Sequence, residues 1–270
     1  MRVTDRKIEA WLHEDVGHRD VTNHVPGETT GRLVAKESGV AAGLDAASAV
    51  FDYLGVDCET TVAAGDRIEE GDTLLEVAGE TASLLRGERV AVNVAGHSSG
   101  VATATRRAVD LAREVSDDVA IAGTRKTTPG LRGVEKRAVA AGGGDTHRLT
   151  LSGMVMVKDN HVAEMGLEEA VGHFRDEKSF ATKIEVEVER PADAPRAAEA
   201  GADIVLLDNM TPEEVEEGIE ALPDGVLAEA SGGIGFADVP DYAATGVDVI
   251  SMGALTHSAD SLDLSFRTEE

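Results

Sequence analysis

Residues 183–209, KIEVEVERPADAPRAAEAGADIVLLDN, hold the pattern that decides the fold. An alternating run, KIEVEVE (183–189), gives way to an Ala-rich helical segment and then to a second strand-like run, DIVLLD (203–208). Further strand-like runs lie at 119–123, 154–158 (MVMVK), 226–231 and 247–252 (VDVISM), with helical segments between the later ones. One of those helices has a legible start, with Thr211 as N-cap, Pro212 at the first position and Glu214 completing a capping box. Strand–helix alternation sustained over about 150 residues predicts a parallel sheet, most simply a β/α barrel.

The chain before this region reads differently. Residues 5–13 suggest a short helix with Ile8, Trp11 and Leu12 on or near one side, and Glu14–Thr22 reads as a polar loop. From Gly31 to Val77 short apolar runs alternate with Gly-Asp turns at Gly65-Asp66 and Gly71-Asp72, a pattern of strands and tight turns. Within it, GLDAASAVFDYLG has helical spacing through Leu44, Ala47, Val50, Phe51 and Leu54 and stops at Gly55. An α+β region with its own small sheet is expected. From Gly87 the pattern turns helical through Val90, Val94, Val101, Ala104, Ala108, Leu111 and Val115, with Gly96 and Gly100 as the points where a break would fall.

Composition narrows the function. Of 270 residues, 51 are acidic and 25 basic, a net charge of −26 that argues against nucleic acid as a partner. Eighteen of the cations are Arg and seven are Lys. Acid excess with sparse Lys fits solvation in a salt-rich cytoplasm, so a halophilic source is expected. Cys58 is the single cysteine, which excludes an intramolecular disulfide and a multi-Cys metal site. No apolar run approaches the ~18 residues that would suggest a membrane helix, so a soluble cytoplasmic protein without a membrane partner is expected.

One window reverses the charge balance. Residues 121–161 carry Arg125, Lys126, Arg132, Lys136, Arg137, Arg148 and Lys158 against Glu135, Asp145 and Asp159. A cationic region on a strongly anionic chain focuses field for a small, multiply charged anion. In a β/α barrel the chemistry sits at the carboxyl ends of the strands. Here those ends carry Thr124-Arg125-Lys126, Lys158, Glu187, Asp208, Ser231-Gly232-Gly233 and Ser251-Met252-Gly253. Taken singly, each has a plainer explanation: a solvated loop cation, the exposed half of a strand, a turn cap, a tight turn. His161 and His173 read equally as surface helix residues, and His13, His18, His24 and His97 show no ligand spacing, so no zinc site is expected.

Taken together they divide into two halves. Arg125, Lys126, His147, Arg148 and Lys158 suit a substrate with more than one carboxylate. Glu187 and Asp208 suit a divalent cation or sugar hydroxyls, and the Ser231 and Ser251 turns suit a phosphate. The combination points towards phosphoribosyl transfer. A Schiff-base lyase with Lys158 as nucleophile, a phosphoribosyltransferase for another aromatic acid, and a non-catalytic anion binder remain as alternatives.

Several of these stretches also resemble one family. GERVAVN (87–93), AGTRKTTPGLR (122–132), the triple Gly followed by His147-Arg148, VMVKDNH (155–161), EVEVE (185–189), GADIVLLDN (201–209), EASGGI (229–234) and DVISMGALTHS (248–258) are similar, in order, to quinolinate phosphoribosyltransferase, the carboxylating nicotinate-nucleotide pyrophosphorylase of NAD synthesis. The resemblance spans roughly Glu14 to Leu264, with Arg19 standing where the family's early loop usually has a second Gly. It implies an α/β fold: an N-terminal α/β sandwich (residues 1–105, joined by 255–270) and an irregular β/α barrel (106–254). It also implies a homodimer at least, with Arg89 reaching into the neighbouring subunit's site. Quinolinate contacts then fall on Arg89, Arg125, Lys126, His147, Arg148 and Lys158. The phosphoribosyl pyrophosphate and Mg²⁺ side falls on Lys126, Glu187 and Asp208, with phosphate on Ser231, Gly232, Gly233, Ser251, Gly253 and His257.

Overall fold

A computed structural model describes residues 3–268. Numbered along the chain, the elements are α1 (Asp5–Val16), β1 (Glu28–Ala35), β2 (Gly39–Val40), α2 (Leu44–Tyr53), β3 (Asp57–Thr60), β4 (Arg67–Ile68), β5 (Thr73–Glu80) and α3 (Thr81–Arg113). Then come β6 (Ala120–Gly123), α4 (Arg132–Ala141), β7 (Val155–Val157), α5 (Asp159–Met165), α6 (Leu167–Glu177), β8 (Ile184–Val188), α7 (Ala194–Ala200) and β9 (Ile204–Asp208). The chain closes with α8 (Pro212–Glu220), β10 (Leu227–Ser231), α9 (Val239–Ala244), β11 (Val249–Met252), α10 (Ala254–His257) and β12 (Leu264–Thr268).

Two units emerge. One runs to Arg106 and takes in 128–143 and the tail from Ser258; the other comprises 107–127 and 144–257. The tail thus groups with the N-terminal part. Residues 128–143, expected within the barrel, group with the first unit instead. The reason is packing: α4 buries Val134 with Ile8, Val90 and Val94, and Ala138 and Val139 with Val40, Val101 and Ala102.

In the first unit, strands in the order β12-β1-β5-β3 form an antiparallel sheet. Leu33 pairs with Leu75 and with Phe266, and this face buries with Phe51 and Leu84. Each such buried Leu or Phe contributes about 1.5–3 kcal/mol of transfer free energy. The Gly-Asp turns share one device. Asp66 Oδ2 accepts from Ala63 N and Asp72 Oδ2 from Glu69 N, both at 2.8 Å, with Gly65 and Gly71 at φ of 98° and 97°.

Helix α3 runs unbroken for 33 residues, so neither glycine interrupts it. A Cβ at Gly96 would lie 2.9 Å from the Leu262 carbonyl oxygen, and one at Gly100 1.9 Å from that of Asp260. Both glycines let the C-terminal tail lie against the helix. Helix α1 extends to Val16, past the expected start of the polar loop. In that loop Asp20 accepts from the Thr22 and Asn23 amides and pairs with Arg86 at 3.3 Å, which holds its carboxyl below the usual range. Arg19 is exposed and has no positive φ, so its side chain imposes no left-handed strain there.

The second unit is a six-stranded parallel sheet in the order β6-β11-β10-β9-β8-β7. The strands follow chain order, with β6 joined beside the last of them, as in an irregular barrel; among the described residues no pairing joins β6 to β7. Period two sorts the side chains. Val157, Ile184, Val186, Val205, Leu207, Ala228, Ala230 and Ile250 pack outward on the helices, in a core with Val171, Ala197, Val215 and Ala243. Their neighbours turn inward. Helix α8 begins as its sequence predicts: Glu214 N donates to Thr211 Oγ1 (3.3 Å) and Thr211 N to Glu214 Oε2 (2.9 Å).

Candidate active site

The inward positions of the parallel sheet form the site. Met156 and Lys158, Glu185 and Glu187, Leu206 and Asp208, Glu229 and Ser231, and Ser251 and Gly253 are the period-two pairs at the strand ends. All but Glu185 line one cavity of about 630 Å³. Gly123 to Lys126 close it from β6, and His147 and Arg148 from the segment that follows α4. That segment is carried along β6 by a bridge: Asp145 N donates to Ile121 O (2.8 Å) and Gly123 N to Asp145 O (2.9 Å). The GGGDTHR run thus sets His147 and Arg148 beside the Arg125-Lys126 turn.

The cationic side has defined partners. Lys158 Nζ pairs with Glu187 Oε2, and Arg148 reaches Met156 Sδ at 2.8 Å. Burial, with Arg125 nearby, pulls the Arg148 guanidinium below its ordinary value. The Arg125 Nε is buried without a hydrogen-bond partner, a donor that an anionic ligand can satisfy. His147 has φ of 50°, and its amide is fixed by Asp145 Oδ1 at 2.5 Å. Its Nε2 lies 3.1 Å from Glu229 Oε2 and 3.6 Å from Glu185 Oε2. Burial opposes a charged ring, but the two carboxylates outweigh it and push the His147 pKa to about 10. Burial raises Glu185 above the carboxylate range; Glu229 adds to the rise and His147 opposes it, since one imidazolium cannot compensate two buried carboxylates.

The acidic and phosphate-like side is equally ordered. Burial and then the neighbouring charge of Glu187 raise the Asp208 carboxyl, against Lys158 and Lys126. Asn209, at φ of 56°, donates from Nδ2 to Asp208 Oδ2 (2.6 Å), and its amide donates to Ser231 O (2.9 Å). Gly232 (φ 99°) and Gly233 (φ 64°) follow, and a Cβ on Gly232 would stand 2.5 Å from Asn209 N. At Gly253 a Cβ would meet Lys126 Cδ at 3.0 Å and the His257 ring at 3.1 Å.

Every sequence candidate except Arg89 therefore lines this cavity. Arg89 lies on α3 in the other unit, largely exposed, 3.8 Å from Glu88. Lys158 stands among charged groups and is paired with Glu187. His161 is not a plain surface residue: its Nδ1 accepts from Lys158 N at 2.9 Å and caps α5. Sequence reading missed Glu185, Glu229, Asn209 and Thr256. For the two glutamates a signal existed, because each stands two residues before a candidate on the same face of its strand.

Cations, three carboxylates and glycine turns gathered at the strand ends of one parallel sheet are the arrangement of a barrel enzyme's active site. Comparison with known proteins makes the family specific. The chain matches the quinolinate phosphoribosyl transferase N-terminal domain over residues 19–99 and the C-terminal domain over 101–267. It is 45% identical over 268 residues to the probable carboxylating nicotinate-nucleotide pyrophosphorylase of Methanothermobacter thermautotrophicus, covering 96% of each chain. The human carboxylating nicotinate-nucleotide pyrophosphorylase is 42% identical, over 96% of this chain and 90% of its own. Among solved structures, NadC from Streptococcus pyogenes superposes with a TM-score of 0.92 at 38% identity, over 100% of both chains. The protein belongs to the quinolinate phosphoribosyltransferase family.

Proposed function

We infer that this protein transfers the phosphoribosyl group of phosphoribosyl pyrophosphate to quinolinate, releasing pyrophosphate and CO₂ and giving nicotinate mononucleotide. The observation that carries this is one cavity that gathers Arg125, Lys126, His147, Arg148 and Lys158 together with Glu187 and Asp208. A dicarboxylate needs more than one cation, and a developing ribosyl cation needs nearby anions. An aldolase-like role for Lys158 is not favoured.

The residues divide the work. Arg125, Arg148 and His147 hold the two carboxylates of quinolinate and turn the ring nitrogen towards the sugar. Bond breaking at the anomeric carbon leaves positive charge on the ribose, which Glu187 and Asp208 stabilise. The nitrogen lone pair forms the new bond, and the ring becomes cationic. That charge accepts the electron pair left when the adjacent carboxylate departs as CO₂, and a proton then takes its place on the ring carbon. Lys126 lies against Gly253 and His257, which suits a contact with a departing phosphate. Ser231, Gly232, Gly233, Ser251, Gly253 and His257 supply the phosphate cradle.

Oxygen donors suit a hard divalent cation. The raised carboxyl of Asp208 beside Glu187 marks a place where added positive charge is favourable. Glu187 and Asp208 would hold Mg²⁺ brought with the co-substrate, which would neutralise the pyrophosphate as it leaves. Removal of the metal with a chelator abolishes turnover on this reading.

Arg89 completes the site from a second subunit in the same proposal. Mixing inactive Arg89→Ala and Lys126→Ala proteins would then regenerate about a quarter of wild-type activity, because half of the dimers are mixed and each carries one intact site. No recovery would remove Arg89 from the shared site. A salt-rich cytoplasm, suggested by the net charge of −26, belongs to the same proposal. No described helix is long and apolar enough to cross a membrane.

The deciding assay supplies quinolinate, phosphoribosyl pyrophosphate and Mg²⁺ in high salt and follows nucleotide and CO₂ together. Equal amounts of both are expected. Nucleotide without CO₂ would identify a different aromatic acid, and neither product from folded protein would overturn the proposal.

A further inference from the structure

Beneath the cationic side of the cavity lie two glutamates for which the reaction has no direct use. Glu185 is fully buried on β8 and Glu229 is 2% exposed on β10, and both point inward at the same ring nitrogen of His147. Carboxylates only accept hydrogen bonds, so the 3.1 Å contact to Glu229 Oε2 makes Nε2 the donor. The orientation of the ring is thereby fixed, and the other nitrogen, Nδ1, is left for a ligand. Both oxygens of Glu185 are buried without a hydrogen-bond partner, and its Oε2 stands 3.6 Å from the same Nε2.

We propose that Glu185 and Glu229 are positioning residues that hold His147 with Nε2–H turned to the protein and Nδ1–H presented to a carboxylate of the aromatic acid, making His147 a fixed cationic clamp. The device resembles the carboxylate that orients a histidine in catalytic triads, doubled here on neighbouring inward positions. It separates the acids at the strand ends into two kinds: Glu187 and Asp208 face the ligand space alone, whereas Glu185, behind the cavity wall, and Glu229, at its edge, act through the imidazole.

The surrounding charges agree with this division. His147 receives Glu185 from β8 and Glu229 from β10, with Asp145 at its amide and Arg148 beside it in sequence. The other charged groups of the cavity are Arg125 and Lys126 after β6, Lys158 after β7, Glu187 at β8 and Asp208 at β9. The three side chains His147, Glu185 and Glu229 also bring potential ligand atoms within 4.8 Å of one another. Both glutamates also attract the Arg148 guanidinium through space. The carboxylates keep the ring charged well above neutral pH, up to about 10.

The inference rests on the quinolinate reading, and its test is chosen to separate the two. Glu229→Gln and, separately, Glu185→Gln keep side-chain shape and remove one charge each. Folding is checked by circular dichroism and thermal melting. In the ligand-free proteins, nitrogen-15 NMR follows the His147 ring, assigned by its loss in His147→Asn. The wild-type ring is expected to stay doubly protonated beyond pH 9, and the Glu229→Gln ring to lose its proton at a clearly lower pH. With substrates, Glu229→Gln raises KM for quinolinate at least tenfold at pH 8. KM for phosphoribosyl pyrophosphate stays within twofold, and the quinolinate defect shrinks at pH 6. Glu185→Gln shifts the same quantities in the same direction.

An unchanged ring titration in both variants overturns the clamp. So does a quinolinate KM that does not move, or that rises equally with the other KM at both pH values. Absence of any wild-type turnover with quinolinate would overturn the transferase reading alone, since the ring titration needs no substrate.

Discussion

The hydroxyl of Thr256 donates to the main-chain carbonyl of Lys126 at 2.7 Å across 130 residues of sequence, and it also lies 3.2 Å from Gly253 O. Thr256 is 2% exposed, so this bond ties the turn after β6 to the turn after β11 from the inside. Thr256→Val keeps the shape and leaves the Lys126 carbonyl without its donor. A destabilisation of about 1–3 kcal/mol in urea melts is expected. Turnover should fall about tenfold, because a displaced Lys126 loses its catalytic geometry. Wild-type kcat in the variant would show that the bond serves folding only.

Lys126 lines the cavity with its stem close to Gly253, where an added Cβ would stand 3.0 Å from Lys126 Cδ. Lys126→Ala is expected to lower kcat/KM by about 3 kcal/mol of transition-state stabilisation, roughly a hundredfold. A value within threefold of wild type would remove Lys126 from the reaction.

Gly232 admits no side chain. Its φ of 99° disfavours an L residue, and an added Cβ would meet Asn209 N and Oδ1 at 2.5 Å. Asn209 in turn holds the Asp208 carboxylate. Gly232→Ala should strain the turn by about 1–3 kcal/mol and raise KM for the phosphorylated co-substrate more than that for quinolinate. Equal effects on both KM values would count against a phosphate cradle at Ser231–Gly233.

Glu135, wholly buried on α4, pairs with His97 at 2.9 Å and accepts from the Thr128 amide at 3.1 Å and 3.2 Å. Burial raises its carboxyl, but His97 and Thr128 overcome this and leave its pKa below the ordinary value for a glutamate. A depressed carboxyl stabilises the fold fully above its unfolded value, and that stability is lost as pH falls through the native one. Glu135→Gln is therefore expected to cost about 1–3 kcal/mol at pH 7. The gap to wild type should narrow in urea melts from pH 5 downward; a constant gap would refute the charge as its cause.

Self-repulsion from a net charge of −26 should be relieved by salt. The Debye length falls from about 10 Å at 0.1 M to about 3 Å at 1 M, so Tm is expected to climb steadily with KCl over that range. A flat Tm would separate the acidic surface from any adaptation to salt.

Some of this was legible in the chain. The strands of the parallel sheet announced themselves because alternating Val, Ile and Leu can bury only one way on a pleated strand. The Thr211-Pro212-Glu214 start of α8 is equally local chemistry, satisfied within one turn. Strand-end position then sufficed to name Arg125, Lys126, Lys158, Glu187 and Asp208, since a barrel opens its chemistry on that face. Gly96 and Gly100 were the opposite case. Glycine in a helix reads as a weak point from sequence, and only the tail lying at Asp260 and Leu262 explains it as room for a neighbour.

Sequence by itself determined the order of elements, the charge contrast and the residues with chemistry to offer, because these depend on local periodicity and on side-chain type. Tertiary structure alone decided how they are paired. That α4 packs with the first unit depends on a match of apolar faces distant in sequence. That Glu185 and Glu229 meet at one imidazole nitrogen depends on β8, β10 and the loop after α4 converging on one floor. Burial there converts two unremarkable strand glutamates into the groups that set the state of His147, since charge interactions strengthen as water is excluded.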